Sequence, residues 1–196
     1  MVLIKLDKNT NYIVSGLERS GTSMLMQILH AGGIPCAFDN SRPADEFNPK
    51  GYYELEGGKI INKLIEKNFP IKKYKGRFIK ITSYGLKFLP KGKYKIIYSE
   101  RDFDEILDSM ERMMKKKEKN RVESKKNLIK LNNMIKKEIQ EKKETDVLFV
   151  NYNNILKNPK QNIKKILDFL NLPYNNLDKM VKAVDINLYQ PRKSNR

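Results

Sequence analysis

The sequence predicts an α/β protein of three layers, α/β/α, in which helices cover both faces of a mainly parallel central sheet. Short apolar runs of strand type recur along the chain, and each is followed by a turn or by apolar residues at helical spacing. This alternation is typical of parallel sheets, because each strand needs a crossover to reach the next one. With 196 residues the chain has the size of one domain, which we expect to span 1–196.

The individual elements are predicted from apolar spacing, with a period of two for strands and about 3.6 for helices. Strands are predicted at 10–15, 77–82, 94–99 and 147–151, with a short extended piece at 35–38. Helices are predicted at 22–32, near 55–67, from Phe103 to Met114, and within the lysine-rich segment 115–143. Residues 39–51 form a polar, turn-rich connection.

The composition excludes several classes of protein. No apolar run approaches the roughly 18–20 residues of a membrane span, and the first residues show no signal-peptide pattern. The only cysteine is Cys36, which excludes a disulfide framework and fits a reducing compartment. We therefore expect a cytoplasmic globular protein.

The formal net charge of +17 would favour polyanions at the surface. The lysines are spread along the chain, however, and are densest in 115–143, where Glu and Asn separate them. Such a pattern is typical of a solvated helix face, so nucleic acid is not the expected partner. A small polyanionic ligand would still be attracted.

A glycine-bounded loop follows the first strand. Gly16 and Gly21 are five residues apart and Ser23 closes the loop, which is the spacing of a phosphate-binding loop. Nucleotide triphosphatases carry Lys after the second glycine, whereas this chain has Thr22 there and its strong cation, Arg19, within the loop. The loop can bind an anion at the start of a helix, where backbone N–H groups and the helix dipole converge.

A second candidate anion site follows the third strand. Arg101 ends that strand, and Ser109 lies eight residues further, on the flank of the next helix that borders the sheet edge. A guanidinium offers several planar donors to a phosphate. The alternative is a salt bridge of Arg101 with Glu100 or Asp104 and an exposed Ser109.

Ligands of open parallel sheets bind beyond the carboxyl ends of the strands. This rule places the glycine loop, Asp39, Thr82, Ser83, Arg101 and Tyr152 along one edge. It excludes His30 as a general base, because His30 lies about 15 Å from the loop at 1.5 Å per helical residue. There we expect it to interact with the helix dipole.

The loop sequence Arg-Ser-Gly-Thr-Ser resembles the 5′-phosphosulfate loop of sulfotransferases, which use 3′-phosphoadenosine-5′-phosphosulfate (PAPS) as donor. Arg101 and Ser109 resemble the Arg and Ser with which these enzymes hold the 3′-phosphate. Residues 44–54, Ala-Asp-Glu-Phe-Asn-Pro-Lys-Gly-Tyr-Tyr-Glu, are similar to a segment of a bacterial sulfotransferase-like group. The likeness covers about residues 12–192, although Glu18 stands where Pro is usual and no Trp can stack on the adenine.

The resemblance implies a P-loop nucleotide-hydrolase-like topology and a PAPS-dependent sulfotransferase that transfers a sulfuryl group to a hydroxyl or amine without a metal. In this family Arg19 would neutralise the bridging oxygen of the donor. The cofactor-binding residues so implied are Arg19, Ser20, Gly21, Thr22, Ser23, Arg101, Ser109, Tyr189 and Arg192.

The catalytic base is implied less directly. In protein-tyrosine sulfotransferases a carboxylate follows the second strand, and Asp39 has a comparable spacing from Arg19. Asp39 is equally compatible with a turn, since Asp is a common turn residue. Asp45, Glu46 and Glu54 are alternatives, and Lys80 could contact the donor or the acceptor.

Two other functions are compatible with these residues. A P-loop kinase would need Lys at the position of Thr22 and a metal-binding Asp at a strand end. A non-catalytic protein could instead bind polyanions through 115–143. The sequence does not define the class of the acceptor. Met113, Met114 and the helix after them are compatible with either a core position or the face of a homodimer.

Overall fold

The computed structural model of the chain describes residues 4–189. Four strands form a parallel sheet: β1 (Asn11–Gly16), β2 (Phe78–Lys80), β3 (Tyr94–Glu100) and β4 (Thr145–Asn151). Their order across the sheet is β2-β1-β3-β4. Beside β2, the backbone around Cys36 makes a further parallel bridge to Phe78, as the extended piece at 35–38 predicts.

Seven α-helices connect and cover these strands in the described part of the chain. They are α1 (Thr22–Ala31), α2 (Ile60–Ile65), α3 (Phe103–Met114), α4 (Arg121–Glu141), α5 (Tyr152–Lys157), α6 (Pro159–Leu170) and α7 (Leu177–Ala183). Short 3₁₀ turns lie at Glu56–Gly58, Ile71–Tyr74, Ser83–Phe88 and Ile186–Leu188.

The strands present alternate side chains to two apolar cores, because successive residues of a strand point to opposite faces. Tyr12 and Val14 of β1 face one core, which α1, α6 and α7 complete. Ile13 faces the other core, which is completed by α2, α4 and the turn at Ser83–Phe88. This arrangement confirms the predicted three-layer α/β/α fold.

Two predicted elements are shorter in the structure. The helix predicted near 55–67 is interrupted, because Gly57 and Gly58 have φ values of 62° and 84° that no α-helix accommodates. Only Ile60–Ile65 is α-helical there. The strand predicted at 77–82 ends at Lys80, since Thr82 already precedes the 3₁₀ turn that leads the chain away from the sheet.

The lysine-rich segment consists of a loop and a long docked helix. Lys115 has a φ of 52° and ends α3, and Asn120 caps α4 by accepting a hydrogen bond from the Glu123 N–H at 3.2 Å. Ile135 and Ile139 are fully buried in the second core. None of the helices in residues 4–189 is both long enough and apolar enough to cross a bilayer.

The buried stripe of α4 makes a prediction about stability. Ile135 is 0% exposed, so Ile135→Ala leaves a cavity and should lower the free energy of unfolding by about 2–5 kcal/mol. Val122 of the same helix is 82% exposed, and Val122→Ala should change it by no more than about 0.5 kcal/mol. Urea unfolding of both variants measures the difference, and equal effects would show that α4 does not dock as described.

Candidate active site

A cleft of about 360 Å³ lies at the carboxyl edge of the sheet. The glycine loop after β1, Thr82 after β2, Arg101 after β3 and Tyr152 after β4 all line it. Segments 42–58 and 183–188 supply further wall residues. The strand order thus brings most of the chain positions that the edge rule predicts around one concave space, whereas Asp39 and Ser83 do not line it.

The glycine loop is packed so closely that it needs its glycines. Gly16 and Gly21 have φ values of 150° and 103°, which residues with a side chain rarely adopt. A Cβ on Gly16 would lie 2.5 Å from the carbonyl oxygen of Ser99, and one on Gly21 would lie 2.3 Å from Cδ2 of Tyr152. The backbone therefore approaches β3 and the Tyr152 ring directly.

The first turn of α1 is open to an anion. No side chain caps α1, and its first turn contains no acidic residue. By contrast, Asp102 caps α3 by accepting hydrogen bonds from the N–H groups of Asp104 and Glu105. The N–H groups at the start of α1 are therefore left for a ligand, which the helix dipole favours when it is negatively charged.

Arg19 projects from the loop and reaches α3. Its Nε donates to the Oγ of Ser109 at 2.9 Å, one Nη contacts the Sδ of Met113 at 3.8 Å, and the other donates to the carbonyl of Phe47 at 3.4 Å. These acceptors are all neutral. Burial lowers the pKa of Arg19, and repulsion by the charge of Arg101 acts in the same direction.

Arg101 lies against the glycine loop. One Nη donates to the carbonyl oxygen of Arg19 at 3.1 Å, its Nε pairs with Glu105 at 2.8 Å, and its Cζ lies 4.4 Å from the centre of the Tyr152 ring. The acidic partner is Glu105, not Glu100 or Asp104. Arg101, the candidate for a second anion site, therefore shares one rim of the cleft with the loop.

Glu105, the ionic partner of Arg101, is itself held in place by two further hydrogen bonds. Its other oxygen accepts hydrogen bonds from Asn153 and from the hydroxyl of Tyr189, both at 2.8 Å. Burial would raise the pKa of Glu105, but the hydrogen bonds from Arg101, Asn153 and Tyr189 outweigh it and hold the pKa below its ordinary value.

Lys80 brings an ammonium group to the loop. It is 6% exposed, and its Nζ donates to the carbonyl of Tyr52 at 2.6 Å and to the Oγ of Ser23 at 3.1 Å. Glu54 lies 2.8 Å away as its ionic partner. Burial lowers the pKa of Lys80, and Glu54 partly offsets this effect. A lysine is thus present beside the loop, although Thr22 replaces the one within it.

Segment 44–54 lies over the start of α1. Asn48 donates to the Oγ of Ser23 at 2.9 Å, and Gln27 donates to the carbonyl of Gly51 at 3.2 Å. The hydroxyl of Tyr52 donates to Asp45 at 2.7 Å, so the turn at Asp45 supports the ring. This segment forms the wall of the cleft opposite Arg101.

Comparison with known proteins gives an independent result. The profile of the sulfotransferase domain matches residues 9–196. This chain belongs to the sulfotransferase family. Sulfuryl transfer is accordingly its reaction class, with the acceptor unspecified. No curated protein sequence matches the chain significantly.

Solved structures of sulfotransferases share the fold at low sequence identity. The sulfotransferase domain of the Synechococcus PCC 7002 olefin synthase is 17% identical, with a TM-score of 0.53 over 91% of this chain and 82% of its own. Mouse sulfotransferase SULT7A1, crystallised with PAP, is 16% identical with a TM-score of 0.53, over 94% of this chain and 66% of its own. Retinol dehydratase in a complex with retinol and PAP is 17% identical with the same TM-score, over 93% and 66%.

Most of the predicted donor-site residues of this sulfotransferase line the cleft: Arg19, Gly21, Thr22, Ser23, Arg101 and Ser109. Ser109 is 5% exposed, in contrast to the alternative in which it faces solvent. Tyr189 contacts the site through Glu105. Arg192 lies outside the described residues. His30 is exposed at the far end of α1, where its ring meets Phe38 edge-on.

Ser20 does not line the cleft. Its side chain is buried beneath the loop, its N–H donates to the carbonyl of Leu17 at 3.1 Å, and its carbonyl accepts from the Ser99 hydroxyl at 2.7 Å. These contacts pack the loop on β3, and a role of Ser20 in binding the cofactor stays a prediction.

The four candidates for the catalytic base differ in whether they line the cleft. Asp39 and Asp45 do not line the cleft, whereas Glu46 and Glu54 do. Asp39 accepts hydrogen bonds from the N–H and hydroxyl of Ser41 and from the Glu56 N–H, which are contacts of a turn-forming Asp. Glu46 pairs with the exposed Lys115 at 3.2 Å.

The sequence reasoning missed several cleft residues, among them Arg42, Asn48, Arg112 and Asp185. Arg112 could have been found, because it lies three residues after Ser109 on one helix face. Asn48 lies within the segment that resembles the bacterial group. Arg42 gives no signal, since its position depends on the path of an irregular loop. Among residues 4–189 no three His, Cys, Asp or Glu side chains are grouped to bind a metal ion.

The lowered pKa of Glu105 makes a prediction about pH. A carboxyl group whose folded pKa lies below its unfolded value of about 4.3 stabilises the fold above that value and loses this contribution as pH falls through the folded pKa. Wild type should therefore exceed Glu105→Gln in unfolding free energy near pH 7, and the gap should narrow below about pH 4.5. Urea unfolding across this range measures it, and a gap independent of pH would contradict the assignment.

Proposed function

We propose that this protein transfers the sulfuryl group of PAPS to a hydroxyl or amine acceptor bound in the cleft. The observation that carries the proposal is the contact between the Arg101 guanidinium and the carbonyl of Arg19 at 3.1 Å. This contact supports the proposal because a nucleotide with a 5′-phosphosulfate and a 3′-phosphate would need the glycine loop and the guanidinium side by side. The two neighbours crystallised with PAP support the same ligand class.

The residues at the cleft fit PAPS. The uncapped first turn of α1 and the hydroxyls of Thr22 and Ser23 would hold the 5′-phosphosulfate. Arg101 and Ser109 would hold the 3′-phosphate. When bound, PAPS supplies the sulfuryl group and a phosphate leaving group.

Arg19 and Lys80 supply positive charge where negative charge develops during transfer. Arg19 has only neutral acceptors in the structure, so its charge is available to the leaving oxygen. Lys80 lies 3.1 Å from the loop hydroxyl of Ser23, on the side facing segment 44–54. Fixed cations in a site largely shielded from water stabilise such charge more strongly than water does.

For the base we favour Glu54 over Asp39. Glu54 lines the cleft and is held by Lys80 at 2.8 Å and Arg42 at 3.3 Å, which keep its carboxylate fixed beside the loop. A general base must reach the proton that it removes, and this position meets that condition more directly than the turn at Asp39. Glu46 lies further out in an exposed ion pair.

Adenosine 3′,5′-bisphosphate should bind and stabilise the protein. At a hundredfold excess over its dissociation constant the expected stabilisation is about 2.7 kcal/mol, seen as a rise in Tm. ATP with magnesium should give a much smaller rise. A response to ATP with magnesium alone would favour a kinase, and a response to neither would favour a polyanion-binding protein.

Substitution of Arg101 should affect cofactor binding, and substitution of Arg19 should affect catalysis. Arg101→Ala and Ser109→Ala should weaken binding of the bisphosphate, the former by about tenfold to a hundredfold, since charged hydrogen bonds are lost. Arg19→Ala should instead abolish transfer. Arg77→Ala, outside the cleft, is the control. Unchanged affinity in Arg101→Ala, measured by calorimetry, would remove the 3′-phosphate assignment.

The base can be identified by a paired comparison of Glu54→Gln and Asp39→Asn. Loss of a general base typically lowers kcat by about 10²–10⁴. We expect this loss in Glu54→Gln, with bisphosphate affinity largely kept, and a small effect in Asp39→Asn. The opposite result in sulfate-transfer assays would assign the role to Asp39.

We also propose a cytoplasmic location, no nucleic-acid partner and a possible dimer face for this protein. The single half-buried Cys36 supports a reducing, cytoplasmic location. The docking of α4 through Ile135 and Ile139 supports a solvated role for its lysines over nucleic-acid binding. Met114 is exposed and Met113 contacts Arg19, so a dimer through this helix would use Met114 rather than Met113.

A further inference from the structure

We infer that the acceptor of this sulfotransferase carries an oxyanion group, which Arg42 and Arg112 bind on the acceptor side of the cleft. The inference rests on the proposed function, because it assigns the donor to Arg19 and Arg101. It specifies the acceptor as a hydroxyl or amine compound that also bears a carboxylate, phosphate or sulfate.

The cleft contains more positive charge than its own carboxylates balance. Its cationic side chains are Arg19, Arg42, Lys80, Arg101 and Arg112. Lys80 pairs with Glu54 and Arg101 pairs with Glu105, each at 2.8 Å. Arg42 only shares Glu54, at 3.3 Å.

Arg112 has no carboxylate partner among the described residues, and neither has Arg19. Glu18, Glu46 and Asp185 are the other acidic residues of the wall. Glu46 and Asp185 are already paired with lysines outside the cleft, at 3.2 and 2.9 Å. Glu18 is exposed on the glycine loop next to Arg19, and counting it with Glu54 and Glu105 still leaves two of the five cations without a carboxylate. Once the donor occupies Arg19 and Arg101, the charges of Arg42 and Arg112 are left for the second substrate.

Arg112 lines the cleft from α3. It follows Ser109 by one helical turn, and its neighbour Met113 contacts the guanidinium of Arg19. Three residues further, Lys115 pairs with Glu46 of the opposite wall. Arg112 is therefore located between the donor site and the mouth formed with segment 44–54.

The Nε of Arg112 is buried without a hydrogen-bond partner in residues 4–189. A buried donor without a partner is unfavourable, and because Arg112 lines the cleft, an anion that draws its guanidinium into the cleft would relieve this cost. A guanidinium matches carboxylate, phosphate and sulfate oxygens in shape as well as in charge.

The guanidinium of Arg42 is fixed at the cleft by its contact with an aromatic ring. Its Cζ lies 3.5 Å from the centre of the Tyr52 ring, and the Tyr52 hydroxyl is fixed by Asp45. The charge of Arg42 also adds to the lowering of the pKa of Arg19 and of Lys80 that burial causes. The cations therefore repel one another in the free protein, and an anionic acceptor relieves this repulsion.

The test uses matched pairs of hydroxyl compounds that differ in charge. Protein saturated with adenosine 3′,5′-bisphosphate is titrated with 4-hydroxybenzoate and 4-hydroxybenzamide, and with glucose 6-phosphate and glucose. About 150 mM salt limits general attraction to the basic surface. We expect the anionic member of at least one pair to bind about tenfold more tightly or better. The two pairs distinguish a carboxylate from a phosphate as the preferred group.

Arg112→Gln and Arg42→Gln should each remove this preference and leave the affinity for the bisphosphate within about twofold. Arg77→Gln is the matched control, since Arg77 is exposed and outside the cleft, and it should retain the preference. Equal binding of charged and neutral members, or a preference that survives both cleft substitutions, would overturn the inference.

If the proposed function is wrong, the same binding experiments give a different result. In that case wild type does not bind the bisphosphate, and the anion preference is then read in the free protein, where its loss in Arg112→Gln still supports an oxyanion site. If Arg112→Gln instead weakens binding of the bisphosphate more than about tenfold and retains the preference for the anionic compound, Arg112 belongs to the nucleotide site. The inference is then wrong.

Discussion

The donor edge of this sulfotransferase depends on the packing of Tyr152 against Gly21. Because Gly21 has no Cβ, the ring lies directly on the loop, where an added Cβ would be 2.3 Å from Cδ2. The same ring lies 4.4 Å from the Cζ of Arg101, which in turn donates to the carbonyl of Arg19. One aromatic side chain after β4 thus sets the spacing between the loop after β1 and the guanidinium after β3.

The two central arginines are held in contrasting ways, and the contrast suits different tasks. Arg101 is fixed by a carboxylate, a carbonyl and an aromatic ring, so it needs little reorganisation to receive a phosphate. Arg19 contacts a hydroxyl, a thioether and a carbonyl, so no neighbouring carboxylate neutralises it. The first arrangement fits the proposed role of Arg101 in binding the 3′-phosphate, and the second fits the proposed role of Arg19 at the leaving group.

Local patterns in the sequence predicted the fold class and the meeting of the glycine loop with Arg101 at one cleft, because the glycine spacing and the strand-end Arg101 depend on neighbouring residues. The apolar stripe alone predicts a continuous helix near 55–67, but the positive φ values of Gly57 and Gly58 interrupt it. Long-range contacts could not be predicted. The Lys80–Glu54 pair depends on the path of an irregular segment, and the inward turn of Ser20 depends on a hydroxyl of β3.

The ion pair between Lys50 and Asp185, at 2.9 Å, joins two cleft walls that are distant in sequence. Both side chains are partly exposed, and such pairs contribute only about 0–1 kcal/mol. The pair therefore adds little to the free energy that joins the two walls, and the sheet beneath the cleft rather than this surface contact fixes their relative position.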